Sequence, residues 1–221
     1  TAIDNGWVWN IPLWSRLGTG YVYSDKFVSD EQALEEYKQY LMSDKMIVPR
    51  TREEVDALEY KNIKMRVGIH ERTFVKNVVA IGLSGGFIEP LESNGLLSVH
   101  EWLMQFVEIC QRPVITTFDM DCYNYKCISF FKTFSDFVAL HYALTTRCDT
   151  PYWKYITNEY HFKGDSPLFP SIHDARTTNN LNIINWENQG ANLCIMAGHN
   201  YNPSFHTKIG DRFNWDLLKD R

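Results

Sequence analysis

The chain has 221 residues, enough for one good-sized domain or one and a half. Its 44% hydrophobic and 22% charged residues suit a globular protein that buries a real core, and a net charge of −5 without a Lys/Arg stripe argues against a nucleic-acid partner. No apolar run reaches the length of a membrane span and no export pattern is visible, so the expectation is a cytoplasmic protein with no membrane partner. Cys110, Cys122, Cys127, Cys148 and Cys194 form an odd set without a CxxC pair. They read as free thiols in a reducing compartment, and the spacing of Cys122 and Cys127 does not suit zinc, so no metal is expected. Aromatic residues make up 14% of the chain, with seven Trp, twelve Tyr and thirteen Phe. That is enough flat surface to line a pocket as well as a core.

In chain order, "GWVWNIP" predicts a strand with Trp7, Trp9 and Ile11 on one face and Val8 and Asn10 on the other. The paired indoles have two readings here, core of a strand or wall of a site. "SRLGTG" followed by "YVYS" predicts a hairpin. Ser29 and Gln32 form a capping box ahead of an amphipathic helix whose stripe is Ala33, Leu34, Tyr37, Tyr40 and Leu41. "IKMRVGI" alternates Ile63, Met65, Val67 and Ile69 as a strand would, and "NVVAIGL" reads as a strand buried on both faces. After about residue 98 the pattern turns helical. One stripe holds Trp102, Leu103, Phe106, Val107 and Cys110, and a second holds Phe130, Phe134, Phe137, His141 and Leu144. His141 reads as a hydrogen-bonded core histidine. Thr150 and Pro151 start a further helix as N-cap and first helical residue. The tail from about Lys163 is only partly regular. The fold class expected is α+β. Thr1 is not a methionine and the chain runs almost at once into strand, so we read it as the downstream part of a longer protein.

The segment with chemistry runs from "VVAIGL" into "SGGFIEPLESNGLL", with a helix predicted from about residue 95. Gly82, Gly85 and Gly86 allow close approach to the backbone, and free amides at Asn94 and Gly95 would form an anion site at the helix start. Glu92 stands beside them and Ser93 is the expected N-cap. The bland alternative makes Glu89 and Glu92 solvated loop residues and Ser93 an ordinary cap. A complete GxGxxG fingerprint is missing.

"GWVWNIP" resembles the WxWxIP signature of the flavin-dependent tryptophan halogenases, and "VAIGLSGGFIEPLES" is similar to that family's EPLE-Ser block. A weaker third block, "FVALHYALTTRCDTPYW", resembles the helical segment that follows, so the likeness spans residues 6 to 153. The resemblance implies a specific chemistry. Reduced FAD, oxygen and a halide (chloride, bromide or iodide) yield hypohalous acid, which halogenates an electron-rich, indole-like substrate, as in natural-product biosynthesis. By the same resemblance Glu92 and Ser93 are the catalytic pair, the backbone of Asn94 and Gly95 binds halide, and Leu83 and Leu96 flank the flavin. Trp7, Trp9, Ile11 and Pro12 become a partition between flavin and substrate. Asn94 replaces a more usual threonine, which leaves the amide available. Trp186 is the candidate substrate-facing aromatic of the tail.

It also implies that residues 1–98 complete a flavin-monooxygenase-like FAD- and halide-binding domain, β-rich in this part, and that residues 99–221 form a mostly helical substrate-binding region. The family's flavin fingerprint and catalytic lysine lie upstream of WxWxIP, in an N-terminal half that would be a partner of this one. This stretch alone is therefore expected to be inactive. A separate reductase would supply FADH2, and homo-oligomerisation is compatible with the sequence, which does not fix the number of subunits. Two alternatives stay open: a flavin-dependent aromatic monooxygenase, and a non-catalytic relative that binds flavin or an aromatic ligand.

Overall fold

A computed structural model describes residues 1–160 together with Cys194, Ile195, Gly198 and His199, apart from the side chain of Asn94; Trp186 lies outside the described residues. The chain divides into two compact units. The first takes Thr1–Lys64 and Thr146–Tyr160; the second takes Met65–Thr145 and, among the described residues beyond it, Cys194, Ile195, Gly198 and His199.

The first unit is built on an antiparallel meander of β1 (Ala2–Ile3), β2 (Gly6–Pro12) and β3 (Leu17–Tyr23). The predicted hairpin is present, with Trp7 opposite Val22 and Trp9 opposite Gly20. Strand alternation puts the indoles on one face as expected, but the face that enters the core is the other one. Val8 is 1% exposed, whereas Trp7 and Trp9 are half-buried. A compact valine fits against helix α1 (Asp30–Met42), where Tyr37, Tyr40 and Leu41 join Ile3, Val8, Met46 and Val55 in one cluster. Asn10 shares Val8's face and its amide donates to the Tyr40 hydroxyl at 2.7 Å. The Trp9 ring lies against Gly20, where an added Cβ would come within 2.5 Å of it, so the glycine opposite is what gives the indole its bed.

Helix α1 starts as predicted, with the Ser29 hydroxyl accepting from the Gln32 amide and the Gln32 side chain accepting from the Ser29 amide. A second capping box, Thr51 with Glu54, starts α2 (Arg52–Asp56). The returning segment is tied to β1. Arg147 and the Trp153 indole both donate to the Ile3 carbonyl, at 2.9 and 2.7 Å, and Thr150 caps the short helix Pro151–Lys154 as expected.

The second unit has two small antiparallel pairs, β4 (Gly68–Ile69) with β7 (Gly86–Phe87), and β5 (Phe74–Val75) with β6 (Val78–Val79). Two predicted strands are corrected here. Of "IKMRVGI" only Gly68 and Ile69 pair, and Ile63, Met65 and Val67 are exposed. Of "NVVAIGL" only Val78 and Val79 pair, and Val78 is 64% exposed. Alternation makes a strand only where a partner ladder exists, and the run after β6 is broken by Gly82, whose φ of +66° starts a 3-10 turn over Gly82–Ser84.

Two helices cover these pairs: α3 (Asn94–Cys110) and α4 (Thr117–Ala143). Trp102, Ile109, Tyr123, Cys127 and Phe131 pack on Phe74, with Phe106 against the same cluster. The expected α3 stripe is thus rotated, since Ile109 is inside while Leu103, Val107 and Cys110 are exposed. The α4 stripe is as expected, with Phe134, Phe137 and Leu144 buried, and the helix starts earlier than its aromatic run, at a Thr116–Asp119 capping box. Buried Asn124 holds β5 to α4. Its Oδ1 accepts from the Thr73 and Phe74 amides at 2.7 and 2.8 Å, and its Nδ2 donates to the Phe74 carbonyl at 3.0 Å. No helix among the described residues is long and apolar enough to cross a membrane.

Candidate functional site

The chain leaves β7 through Ile88, Glu89 and Pro90 and makes a tight turn before α3. The Ser93 amide donates to the Pro90 carbonyl at 2.9 Å, closing a 3-10 turn over Leu91–Ser93. Two consecutive non-glycine residues in this turn are left-handed, Glu92 at φ 61° and Ser93 at φ 57°. Such backbone costs on the order of 1–3 kcal/mol per residue and persists only where the surroundings impose it.

The consequence falls on the helix start. Ser93 occupies the N-cap position of α3 but makes no side-chain cap bond. A capping hydroxyl reaches the amides of the first turn from extended backbone, and Ser93 is not extended. The expectation that Ser93 caps α3 therefore holds for its position and fails for its hydrogen bond. The first turn keeps its amides uncapped by Ser93 at the positive end of the helix dipole, and an added Cβ on Gly95 would meet nothing within 4 Å.

The two loop carboxylates differ in their surroundings. Glu89 accepts from the Tyr142 hydroxyl at 2.6 Å. Glu92, whose side chain is 54% exposed, brings Oε1 to 3.6 Å from Nε2 of His141, the neighbouring residue on α4. His141 Nδ1 lies 2.9 Å from the Phe137 carbonyl, which only accepts, so Nδ1 carries the hydrogen. Nε2 is buried and makes no hydrogen bond. His199 belongs to the same neighbourhood. Burial, and then the charge of His141, pulls its imidazole below the usual range.

The structure thus gathers Glu92, Ser93, Asn94 and Gly95 on one turn and adds His141, which the sequence marked only as core. Its core bond to Phe137 is present; its approach to Glu92 joins residues far apart in the chain and has no local signal. Leu83 and Leu96 stand 81% and 83% exposed. Trp7, Trp9, Ile11 and Pro12 lie on β2 in the other compact unit, where Ile11 and Pro12 are exposed and the Trp7 indole N–H is buried without a hydrogen-bond partner. Among the described residues no three His, Cys, Asp or Glu side chains gather as a metal site.

Comparison with known proteins gives a consistent result. A family model described as tryptophan halogenase matches residues 1–214. The chain is 36% identical over 154 residues to the tryptophan 6-halogenase SttH of Streptomyces toxytricini and 35% identical over 157 residues to the tryptophan 7-halogenase RebH of Lentzea aerocolonigenes. These matches cover 70% and 69% of this chain but only 28% and 27% of those proteins. Among solved structures, the VirX1 apo structure aligns with a TM-score of 0.75 at 34% identity, over 99% of this chain and 43% of that one. BrvH, a flavin-dependent halogenase from Brevundimonas sp. BAL3, aligns with a TM-score of 0.74 at 27% identity, over 99% and 42%.

Proposed function

The chain belongs to the flavin-dependent tryptophan halogenase family, and on that premise we propose that it carries the halide-binding and proton-accepting part of a flavin-dependent halogenase acting on an electron-rich, indole-like substrate. The mixed α/β fold is that of part of such an enzyme. The observation that carries the proposal is the left-handed turn at Glu92 and Ser93, which leaves a helix start uncapped directly beside a carboxylate. A halide fits there. It is a small anion, it needs amide donors and no particular side chain, and the Asn94 and Gly95 backbone offers them.

When bound, FAD supplies the oxidising power that turns halide into hypohalous acid. The backbone at Leu83 and Leu96 is the part of this chain that would flank it, and both residues are exposed. In the substitution itself, the ring carbon takes the halogen of hypohalous acid and hydroxide departs. The C–H electron pair returns to the ring and Glu92 accepts the proton. That proton balances the hydroxide as water. Ser93 supports the carboxylate through the shared turn. Trp7, Trp9, Ile11 and Pro12 would form the partition that keeps substrate from flavin, and Trp186 is proposed to face the substrate. We assign residues 1–98 to the FAD- and halide-binding domain and 99–221 to the substrate region.

The flavin fingerprint and a catalytic lysine would come from upstream of the tryptophan motif, and FADH2 from a separate reductase. The stretch alone is proposed to be inactive, and its setting cytoplasmic. The test is turnover of full-length protein with reductase, NADH, oxygen, bromide and a panel of indoles, read by product mass. Brominated product is expected; hydroxylated product, or no product with flavin demonstrably bound, overturns the reading.

A further inference from the structure

We infer that His141 is the proton-holding partner of Glu92, receiving at Nε2 the proton that Glu92 takes from the aromatic ring; this rests on the halogenase reading above. Because Nδ1 is committed to the Phe137 carbonyl at 2.9 Å, a neutral His141 ring turns a lone pair, not an N–H, toward Glu92. Nε2 and Glu92 Oε1 then face each other at 3.6 Å as two acceptors, with Nε2 buried and without a hydrogen bond among the described residues. Two acceptors at that separation are mutually unfavourable until one proton joins them, and the joined state is an imidazolium beside a carboxylate. With His141 neutral, the pair has room for one proton between Nε2 and Oε1.

Among the described residues, the neighbouring ionisable groups have other engagements. Glu89, on the same loop, is engaged with the Tyr142 hydroxyl at 2.6 Å. On α3, His100 and Glu101 lie 3.5 Å from each other. His199 is held toward its neutral form by burial and by the charge of His141, so a proton on His141 discourages a second one nearby. Transfer of the proton from Glu92 to the open Nε2 lone pair restores the carboxylate. The step balances: the aryl C–H bond breaks, its electrons stay with the ring, and one proton passes to Glu92 and then to Nε2. It later leaves through half-exposed Glu92 to neutralise the hydroxide released from hypohalous acid. His141 need not touch the substrate and is a positioning residue.

Two measurements test this in the full-length protein. The first needs no turnover: the His141 ring is titrated by NMR in the wild type and in Glu92→Gln. Because a carboxylate 3.6 Å away favours the charged ring, the titration midpoint is expected to fall when it is removed; an unmoved midpoint overturns the pairing. The second follows bromination rate against pH for wild type and His141→Gln, whose amide can still donate to Glu92 but cannot hold an extra proton. The expected result is a loss in kcat of about tenfold or more with KM for the aromatic substrate unchanged, and an acid limb displaced to lower pH. Wild-type kcat and pH profile in His141→Gln overturn the inference. A wild type that makes no brominated product, yet shows the coupled NMR titration, would sink the halogenase reading while leaving the shared proton in place. Should His141→Gln fail to fold, the Glu92→Gln titration decides alone.

Discussion

Helices α1 and α3 are both headed by a serine, and the two serines do opposite things. Ser29 is extended, at φ −71° and ψ 161°, and its hydroxyl takes the Gln32 amide, closing the end of α1. Ser93 is left-handed, at φ 57° and ψ 28°, and makes no cap bond. The residue type is the same and the difference is two backbone dihedrals. One helix start is finished for stability. The other is left open at a cost in strain, next to a carboxylate that meets a histidine. The remaining described α-helices follow the first pattern, with Thr51, Thr116 and Thr150 each accepting from a first-turn amide. An open start among closed ones is where the molecule spends stability rather than gaining it.

The largest expected effect lies on the open side. Glu92→Gln should lower bromination by about 10²–10⁴-fold, the usual range for a lost proton acceptor, while flavin binding stays close to wild type. Rates and flavin titration on the same sample check this, and loss of flavin binding would mean that the carboxylate has another job. Next comes the clamp between β5 and α4. Asn124→Ala orphans the buried Thr73 and Phe74 amides and should cost roughly 2–3 kcal/mol in urea unfolding. An effect below 1 kcal/mol would show that the clamp is dispensable.

The two serines at the starts of α1 and α3 carry smaller effects of opposite sign. Ser29→Ala should destabilise by about 1 kcal/mol, the ordinary value of a cap. Ser93→Gly should do the reverse, raising stability by about 0.5 kcal/mol as left-handed strain is relieved. Both are read by thermal unfolding of the full-length protein. If Ser93→Gly destabilises as much as Ser29→Ala, the two starts are energetically alike and the contrast falls.

Much of the local structure was legible in residue order. The Ser29–Gln32 box, the Thr150–Pro151 start, the hairpin after β2 and the onset of α3 near residue 95 each depend on neighbours within a few positions, so their signals are local. The long strands expected over 63–69 and 77–83 were not there, because alternation records a possible face and not the partner that must pair with it. The same limit applies to β2. Period two correctly separated the indoles from Val8, but which face the α1 aromatics would cover depended on packing.

At the site, sequence alone determined the parts: a carboxylate, a serine and two amides at a helix start, in a motif that resembles the halogenases and was matched to that family. Only the tertiary structure decided their arrangement. It turned Glu92 and Ser93 left-handed, withheld the cap, and carried α4 back so that His141 faces Glu92. Chain order can specify torsions and neighbours within a turn, but it holds no local record of which distant side chain will meet a carboxylate once the core has closed.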